Sequence, residues 1–218
     1  MNITNKAIRY KEHGDPSSVL FLEELPVEKL GDREVRIEIV AASIHPSDIG
    51  LVQGSYGELK KLPAVAGREG VGKVIEIGCD VPKNVINKIV AVPDKTGAWQ
   101  SYCNACVDDL ILLPALVPYN QLAVSILNPM TAWRLLNDFE YLREGDTIIQ
   151  NAGNSAVGLA VIQFAKRMGV TCISLVRSED RREDLENFGS EEVWLDDEDV
   201  PHRVRDFTNN KSCVMALN

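Results

Sequence analysis

The segment from Thr147 to Val176 constrains the fold of this chain more than any other stretch. Thr147-Ile148-Ile149-Gln150 is typical of a buried strand. From Val157 to Met168, apolar residues recur at relative positions 0, 3, 4, 7, 8 and 11, which predicts an amphipathic helix that Gly169 ends. The β-branched run 170–176 predicts a second strand. The segment therefore predicts a right-handed parallel strand–helix–strand unit.

The turn between that first strand and its helix, 150–158, fits the spacing G-x-G-x-x-G. Gly153 and Gly158 take the outer positions, and Ser155 takes the middle one. Small residues suit this place because backbone N–H groups at a helix N-terminus must approach a pyrophosphate closely. The turn therefore predicts a dinucleotide site, and a tight turn without a ligand is the alternative.

The end of the second strand indicates which dinucleotide is bound. Val176 is followed by Arg177. In an NAD site, a carboxylate at this position binds the ribose diol, whereas an arginine suits the 2′-phosphate of NADPH. Arg181 and Arg182 add positive charge nearby. We therefore expect NADPH rather than NADH, the alternative being that Arg177 lies at a strand end on the surface.

The first half of the chain has the pattern of short strands. Val35–Ile39 alternates apolar and charged residues, and 72–78 and 88–93 are bounded by turn residues. This pattern predicts a compact antiparallel, barrel-like domain. In the second half, Asn128-Pro129 predicts a helix with Asn128 as its N-cap. A charged helix is expected at 180–188, and further strands at 192–195 and 213–217.

Composition excludes several classes of protein. The net charge of −9 argues against a nucleic-acid partner. The sequence contains no run of about 18 apolar residues, so no membrane-spanning helix is predicted. Five cysteines are a poor disulfide framework and favour a reducing compartment. Cys103 and Cys106 form a lone C-x-x-C without a second pair, so we expect packed thiols. The acidic run 196–199 is expected to be a solvated loop.

Several motifs in register resemble the mitochondrial trans-2-enoyl-CoA/ACP reductases, a zinc-free, quinone oxidoreductase-like branch of the medium-chain dehydrogenases/reductases. The motifs that carry this resemblance are Ile44-His45-Pro46-Ser47-Asp48-Ile49, Gln53-Gly54-Ser55-Tyr56-Gly57, the run 62–72, Leu127-Asn128-Pro129-Met130-Thr131-Ala132-Trp133, the run 149–158 and Val176-Arg177.

The resemblance implies an α/β fold in two domains. A GroES-like β-barrel substrate domain would occupy 1–120, and an incomplete Rossmann doubly wound parallel sheet would occupy 121–218, truncated after about its fourth strand. NADPH would lie in the cleft between them. The implied reaction is reduction of a trans-2-enoyl thioester in fatty acid synthesis, with hydride added at C3 and a proton at C2.

The resemblance also implies site residues. The active-site tyrosine falls on Tyr56, which would otherwise be an ordinary turn tyrosine. Glu179 stands where the family often has a second arginine, and it would repel the 2′-phosphate unless Arg181 or Arg182 compensated. His45 is expected to be a hydrogen-bonding scaffold residue. The implied nucleotide contacts are Asn128, Asn154, Ser155, Ala156, Val157, Arg177, Ser178 and Glu179.

We expect no zinc. The zinc-dependent relatives use an early cysteine and the histidine of a G-H-E motif, whereas this chain has the stretch 43–48 without cysteine and Gly67-Arg68-Glu69. Arginine does not ligate zinc.

The implied partner is an enoyl thioester of CoA or acyl carrier protein, with no nucleic acid or membrane, and a homodimer is left open. The resemblance implies the mitochondrial matrix. The first ten residues have no features of a presequence, which leaves the cytoplasm as the alternative. Other readings also stay open: a quinone or enone reductase, an inactive nucleotide-binding remnant, and an assembly partner.

Overall fold

The computed structural model describes residues 4–218, and it separates the chain into two compact units, the first ending at Ile126 and the second beginning at Leu127. The first unit is mostly antiparallel sheet. Its elements are β1 (Thr4–Tyr10), α1 (Pro16–Val19), β2 (Phe21–Pro26), β3 (Glu34–Ala42), α2 (Pro46–Gln53), β4 (Ala64–Val65), β5 (Gly70–Ile77), β6 (Ile89–Ala91), β7 (Tyr102–Cys106) and α3 (Tyr119–Leu122).

These strands form two sheets, with the order β2-β1-β4 in one and β6-β5-β3-β7 in the other, and all neighbours are antiparallel. The strands predicted at 35–39, 72–78 and 88–93 are confirmed by β3, β5 and β6. Val35 and Ile37 are fully buried, as the alternation in β3 predicts. Arg36 departs from that alternation, because it is also buried and pairs with Glu76 on β5.

The second unit is built on one parallel sheet with the order β10-β9-β8-β11. Its core packs Ile148 against Val161, Ile162 and Ala165 of the amphipathic helix, and the predicted strand–helix–strand unit is therefore confirmed. Its elements are α4 (Leu127–Asn137), β8 (Thr147–Gln150), α5 (Ala156–Met168), β9 (Thr171–Val176), α6 (Arg182–Asn187), β10 (Glu192–Leu195), α7 (Val200–Phe207) and β11 (Met215–Leu217).

Three predicted boundaries differ from the structure. Asn128 is not an N-cap, because α4 already begins at Leu127. The chain approaches this helix through hydrogen-bonded turns, in which the N–H groups of Val124 and Ser125 donate to carbonyls three residues earlier, so the backbone is already curled before Asn128. The charged segment at 180–188 divides into a 3₁₀ turn (Glu179–Arg181) and the short α6, and β11 is shorter than the predicted strand at 213–217.

Surface and thiol predictions agree with the structure. The acidic run 196–199 is exposed, and Arg203 pairs with Asp197 at 2.7 Å. All five cysteines are free, with Cys103 buried and Cys106 partly exposed. Among residues 4–218, no helix combines the length and the apolar character that crossing a bilayer requires.

Candidate active site

The predicted phosphate-binding turn joins β8 to α5 in the second unit. Ser155 is the N-cap of α5, and its Oγ accepts a hydrogen bond from the Gly158 N–H at 3.0 Å. The Gly153 N–H donates to the Leu175 carbonyl at 3.1 Å, which fastens the turn to the end of β9. The helix therefore starts where the sequence predicts, with its first N–H groups at the surface.

The two glycines of the turn are required by close packing. A Cβ on Gly153 would lie 2.8 Å from the Ser174 Cβ, and a Cβ on Gly158 would lie 2.6 Å from the Gly153 carbonyl oxygen. The buried Gln150 side chain donates to the Gly158 carbonyl at 3.1 Å and to the Ser174 Oγ at 3.0 Å. Hydrogen bonds from the buried Gln150 thus fix the conformation of the turn.

The predicted nucleotide contacts on this turn face solvent. Asn154, Ser155 and Ala156 are exposed, and Val157 is half-buried. Exposed N–H groups at the start of a helix of this length suit an anion, because the helix dipole adds to their partial positive charge.

A groove of about 290 Å³ runs beside the turn. It contains Arg177 and Ser178, both predicted as nucleotide contacts. The guanidinium of Arg177 is exposed and makes no hydrogen bond or ion pair with any residue in the range 4–218. The groove is lined by Asn151, Ala152, Asn154, Leu175, Arg177, Ser178, Arg181 and Asp196.

The charges around Glu179 are already paired. Arg182 donates to both Glu179 carboxylate oxygens, at 2.7 and 3.1 Å, and this hydrogen bonding holds the pKa of Glu179 below its ordinary value. Arg181 lies 3.7 Å from both Asp180 and Asp184. Arg182 therefore offsets the carboxylate of Glu179, and Arg177 is the cation left available at this edge.

Asn128, the remaining predicted nucleotide contact, lies in the first turn of α4. Its Nδ2 is buried and has no hydrogen-bond acceptor within the described chain. A buried amide N–H without a partner is costly, so the group is suited to an acceptor supplied by a ligand.

Tyr56 lies in the first unit, just after α2. That helix ends at Gly54, whose left-handed backbone (φ 79°) turns the chain sharply. Tyr56 packs against Gly50, where a Cβ would be only 2.7 Å from the Tyr56 Cβ. The tyrosine is nevertheless 50% exposed, so its side chain is accessible to a ligand.

Tyr56 lines a groove of about 1040 Å³ that also contains four cationic side chains, Lys60, Lys61, Arg68 and Lys95, none of which was predicted to be a site residue. Arg68 donates through Nε and one Nη to the Asp94 carboxylate, at 3.1 and 2.9 Å. This hydrogen bonding raises the pKa of Arg68, and the phenol of Tyr56 also contributes to the rise. The proximity of Tyr56 and Arg68 could not be inferred from the sequence, because they belong to different loops.

His45 has the contacts of a scaffold residue. Its Nε2 lies 2.7 Å from the Ser43 Oγ and 2.7 Å from a Glu69 carboxylate oxygen. Both partners meet the same ring nitrogen, so they do not form a relay that would activate the serine. Glu69 also accepts from the Ile126 N–H at 2.7 Å, and the Trp99 indole donates to the Ser43 carbonyl at 2.8 Å. The cluster braces the loop before α2.

Comparison with known proteins agrees with this architecture. Residues 31–114 match the alcohol dehydrogenase GroES-like domain. The chain is 45% identical, over 185 residues, to the mitochondrial enoyl-[acyl-carrier-protein] reductase of Xenopus tropicalis, covering 84% of this chain and 52% of that protein.

Solved structures extend the likeness to nearly the whole chain. The Etr1p/NADP/crotonyl-CoA complex superposes with a TM-score of 0.88 at 26% identity, covering 99% of this chain and 69% of that one. The mitochondrial 2-enoyl thioester reductase Etr1p/Etr2p heterodimer of Candida tropicalis gives the same TM-score, identity and coverage. A protein described as a putative NADPH:quinone reductase from Bacillus thuringiensis has a TM-score of 0.89 at 28% identity, covering 98% of this chain and 65% of that one.

A GroES-like domain, followed along the chain by a parallel α/β unit with a phosphate-binding turn, is the plan of a medium-chain dehydrogenase/reductase. Within this class, the chain is similar to the mitochondrial enoyl-[acyl-carrier-protein] reductases. It spans about half the length of the curated relatives it matches.

Proposed function

We propose that this chain carries part of an NADPH-dependent trans-2-enoyl thioester reductase, which reduces the C2–C3 double bond of its substrate to give an acyl thioester for fatty acid synthesis. We assign residues 1–120 to the substrate domain and 121–218 to the nucleotide-binding domain. The observation that supports the proposal is the 45% identity to an enoyl reductase, together with the exposure of Tyr56, which we assign as the active-site tyrosine.

The second unit has groups suited to NADPH. The backbone N–H groups of Asn154, Ala156 and Val157 would hold the pyrophosphate, since the Ser155 N–H already donates to the Ala152 carbonyl at 2.8 Å. The unpaired guanidinium of Arg177, with Ser178, would bind the 2′-phosphate. The unsatisfied Nδ2 of Asn128 would donate to an acceptor on the cofactor. Bound NADPH would supply the hydride that is added to C3.

Tyr56 would act on the substrate oxygen. As hydride adds to C3, negative charge develops on the thioester carbonyl, and a phenol hydroxyl can donate a hydrogen bond to it without placing another charge in the site. Tyr56 is half exposed and lines a groove large enough for part of a ligand. We assign it the role of stabilising the enolate or orienting the proton donor for C2.

We propose that this chemistry proceeds without zinc. At the position of a ligating histidine stands Arg68, which is engaged by Asp94. His45 is held by Ser43 and Glu69 rather than presented with a thiolate. Conjugate reduction needs hydride and hydrogen-bond donors, and it does not require a Lewis acid on the oxygen.

The substrate we propose is an enoyl thioester of CoA or acyl carrier protein. A structural relative was solved with NADP and crotonyl-CoA, and another is a heterodimer. A homodimer of this chain is a related proposal that sedimentation or light scattering would test. The names of its relatives support a mitochondrial location. Within the mitochondrion we propose the matrix, with the cytoplasm as the alternative.

Arg177→Ala tests the nucleotide assignment. We expect its affinity for NADPH to fall about tenfold and its affinity for NADH to stay unchanged, because only NADPH carries the 2′-phosphate to which a charge-assisted hydrogen bond is made. Arg205→Ala, which removes an exposed arginine of α7, is the matched control. Equal weakening of both nucleotides, or of neither, would refute the role of Arg177.

Tyr56→Phe tests the catalytic assignment. We expect NADPH-dependent turnover of crotonyl-CoA to fall about 100-fold, the scale of one general acid–base contribution, with NADPH affinity retained. Tyr119→Phe, another exposed tyrosine of the first unit, is the control. Full turnover in Tyr56→Phe would remove this residue from the mechanism.

A quinone or enone reductase is the second candidate, favoured by the likeness to the Bacillus thuringiensis structure. The two activities share a cofactor and differ in the acceptor. Turnover of a quinone exceeding that of crotonyl-CoA would favour this second candidate. NADPH binding without turnover of either would support a nucleotide-binding remnant, and neither binding nor turnover would support an assembly partner.

A further inference from the structure

Lys60 lies four residues after Tyr56, and it is the most enclosed cation of the groove that Tyr56 lines. Its side chain is 19% exposed. Its ammonium donates to the Asp94 carbonyl at 2.9 Å and to the Gly67 carbonyl at 3.4 Å, and it lies 3.8 Å from the Asp94 carboxylate. One side chain thus connects the segment that carries Tyr56 to two other loops.

Those two loops are themselves closely packed. Gly67 has a left-handed backbone (φ 82°), and a Cβ there would lie 2.3 Å from the Trp99 ring. Asp94 begins a 3₁₀ turn (Asp94–Thr96), and its carboxylate also holds Arg68. The carbonyls that accept from Lys60 therefore belong to well-supported backbone rather than to mobile loop.

The charges around Lys60 favour a structural contact over an anion-binding site. Among the cations of the groove, Lys60 and Arg68 both lie near the Asp94 carboxylate, and the buried Asp48 carboxylate also acts on both. Burial lowers the pKa of Lys60, whereas Asp94 and Asp48 oppose that change. Because the Lys60 ammonium already has two carbonyl acceptors and a carboxylate beside it, it is better suited to holding its loop than to binding a phosphate.

We propose that Lys60 is a positioning residue for Tyr56, fastening the segment 56–61 to the carbonyls of Gly67 and Asp94 so that the phenol keeps one orientation. Tyr56 is then held on two sides, because its Cβ also packs against Gly50 of α2. The catalytic part of this inference rests on the proposed function, whereas the positioning part can be measured without turnover.

The experiment compares Lys60→Met with Lys61→Met, the neighbouring exposed lysine. The full chain is labelled with 3-fluorotyrosine at its five tyrosines, and the Tyr56 fluorine resonance is identified from Tyr56→Phe. We expect the Tyr56 resonance to shift and change width in Lys60→Met and to stay in place in Lys61→Met. An unchanged Tyr56 resonance in folded Lys60→Met would overturn the proposal.

Turnover of crotonyl-CoA supplies the second readout. We expect Lys60→Met to lower kcat about tenfold with little change in KM, because a displaced catalytic group slows the chemical step more than it weakens binding. A rise in KM alone would overturn the positioning role. If Lys60→Met does not fold, Lys60→Gln replaces it in both measurements, because its shorter, uncharged side chain carries no ammonium to the carbonyls of Gly67 and Asp94.

The two proposals fail in different ways. If the unsubstituted chain reduces no enoyl thioester, the proposed function fails, and the fluorine resonance still decides whether Lys60 positions Tyr56. If turnover is present and Lys60→Met changes neither the resonance nor kcat, only the inference about Lys60 fails.

Discussion

Gly50→Ala should separate catalytic geometry from stability. Gly50 is inside α2, where alanine is favoured over glycine by up to about 1 kcal/mol. The new Cβ, however, would lie 2.7 Å from the Tyr56 Cβ. Carbon atoms in contact prefer about 3.5 to 4.0 Å, so Tyr56 must move by roughly 1 Å.

We expect this movement to lower turnover rather than stability. Because the Tyr56 Cβ is fixed to the backbone, the contact is relieved by a shift of the exposed segment 55–57, which can move without overpacking the core. We therefore expect the free energy of unfolding to change by less than about 1 kcal/mol, the gain in helix propensity offsetting the contact. Turnover should fall by about tenfold to 100-fold, the loss that a misplacement of roughly 1 Å can cause.

The assay is loss of the nicotinamide absorbance with crotonyl-CoA, measured beside chemical denaturation. Gln53→Ala, an exposed position on the same helix, is the control for a change in helix propensity alone. If Gly50→Ala keeps turnover within about twofold of the unsubstituted chain, the location of Tyr56 does not govern catalysis. A large decrease in the free energy of unfolding of Gly50→Ala would instead show that Tyr56 cannot move away from the new Cβ.

Two further predictions concern packing in the second unit and the buried thiols. Gly153→Ala should lower the free energy of unfolding by about 1–3 kcal/mol and weaken NADPH binding, because its Cβ would lie 2.8 Å from the Ser174 Cβ; an unchanged denaturation midpoint would mean that the turn opens freely. Burial raises the pKa of both Cys103 and Cys172 to about 11. At pH 8 both are therefore protonated, and iodoacetamide should leave them unmodified in the native chain and alkylate them after denaturation, as peptide mass spectrometry would show. Their rapid modification in the native chain would contradict the burial.

Local patterns predicted the second unit well. The turn 150–158 could be predicted because strand, glycine spacing and helix periodicity are encoded within about thirty consecutive residues. The αL ending of α5 at Gly169 is confirmed for the same reason. The predicted start of α4, with Asn128 as N-cap and Pro129 as first helical residue, was wrong by two residues, because hydrogen bonds in the preceding turn decide where the helix begins.

Contacts between distant segments escaped prediction. Arg36 looked like the solvent side of a strand, yet it is buried, since Glu76 on the adjacent strand and the Glu28 carbonyl satisfy it. Nothing in the sequence around Lys60 predicted its contacts. Its acceptors are 7 and 34 positions away in the sequence, and no local pattern indicates that they meet.

Nucleotide affinity and the orientation of Tyr56 depend on different sets of contacts. The turn at Gly153 is held by Gln150 and by the carbonyl of Leu175, all within the second unit. Tyr56 is held by Gly50 and, as we propose, by Lys60, within the first. A substitution in either set should therefore change one property and spare the other, so a chain can keep its affinity for NADPH after it has lost reductase activity. Binding of NADPH would then be weak evidence for the reductase activity proposed for this chain, and the orientation of Tyr56 has to be measured directly.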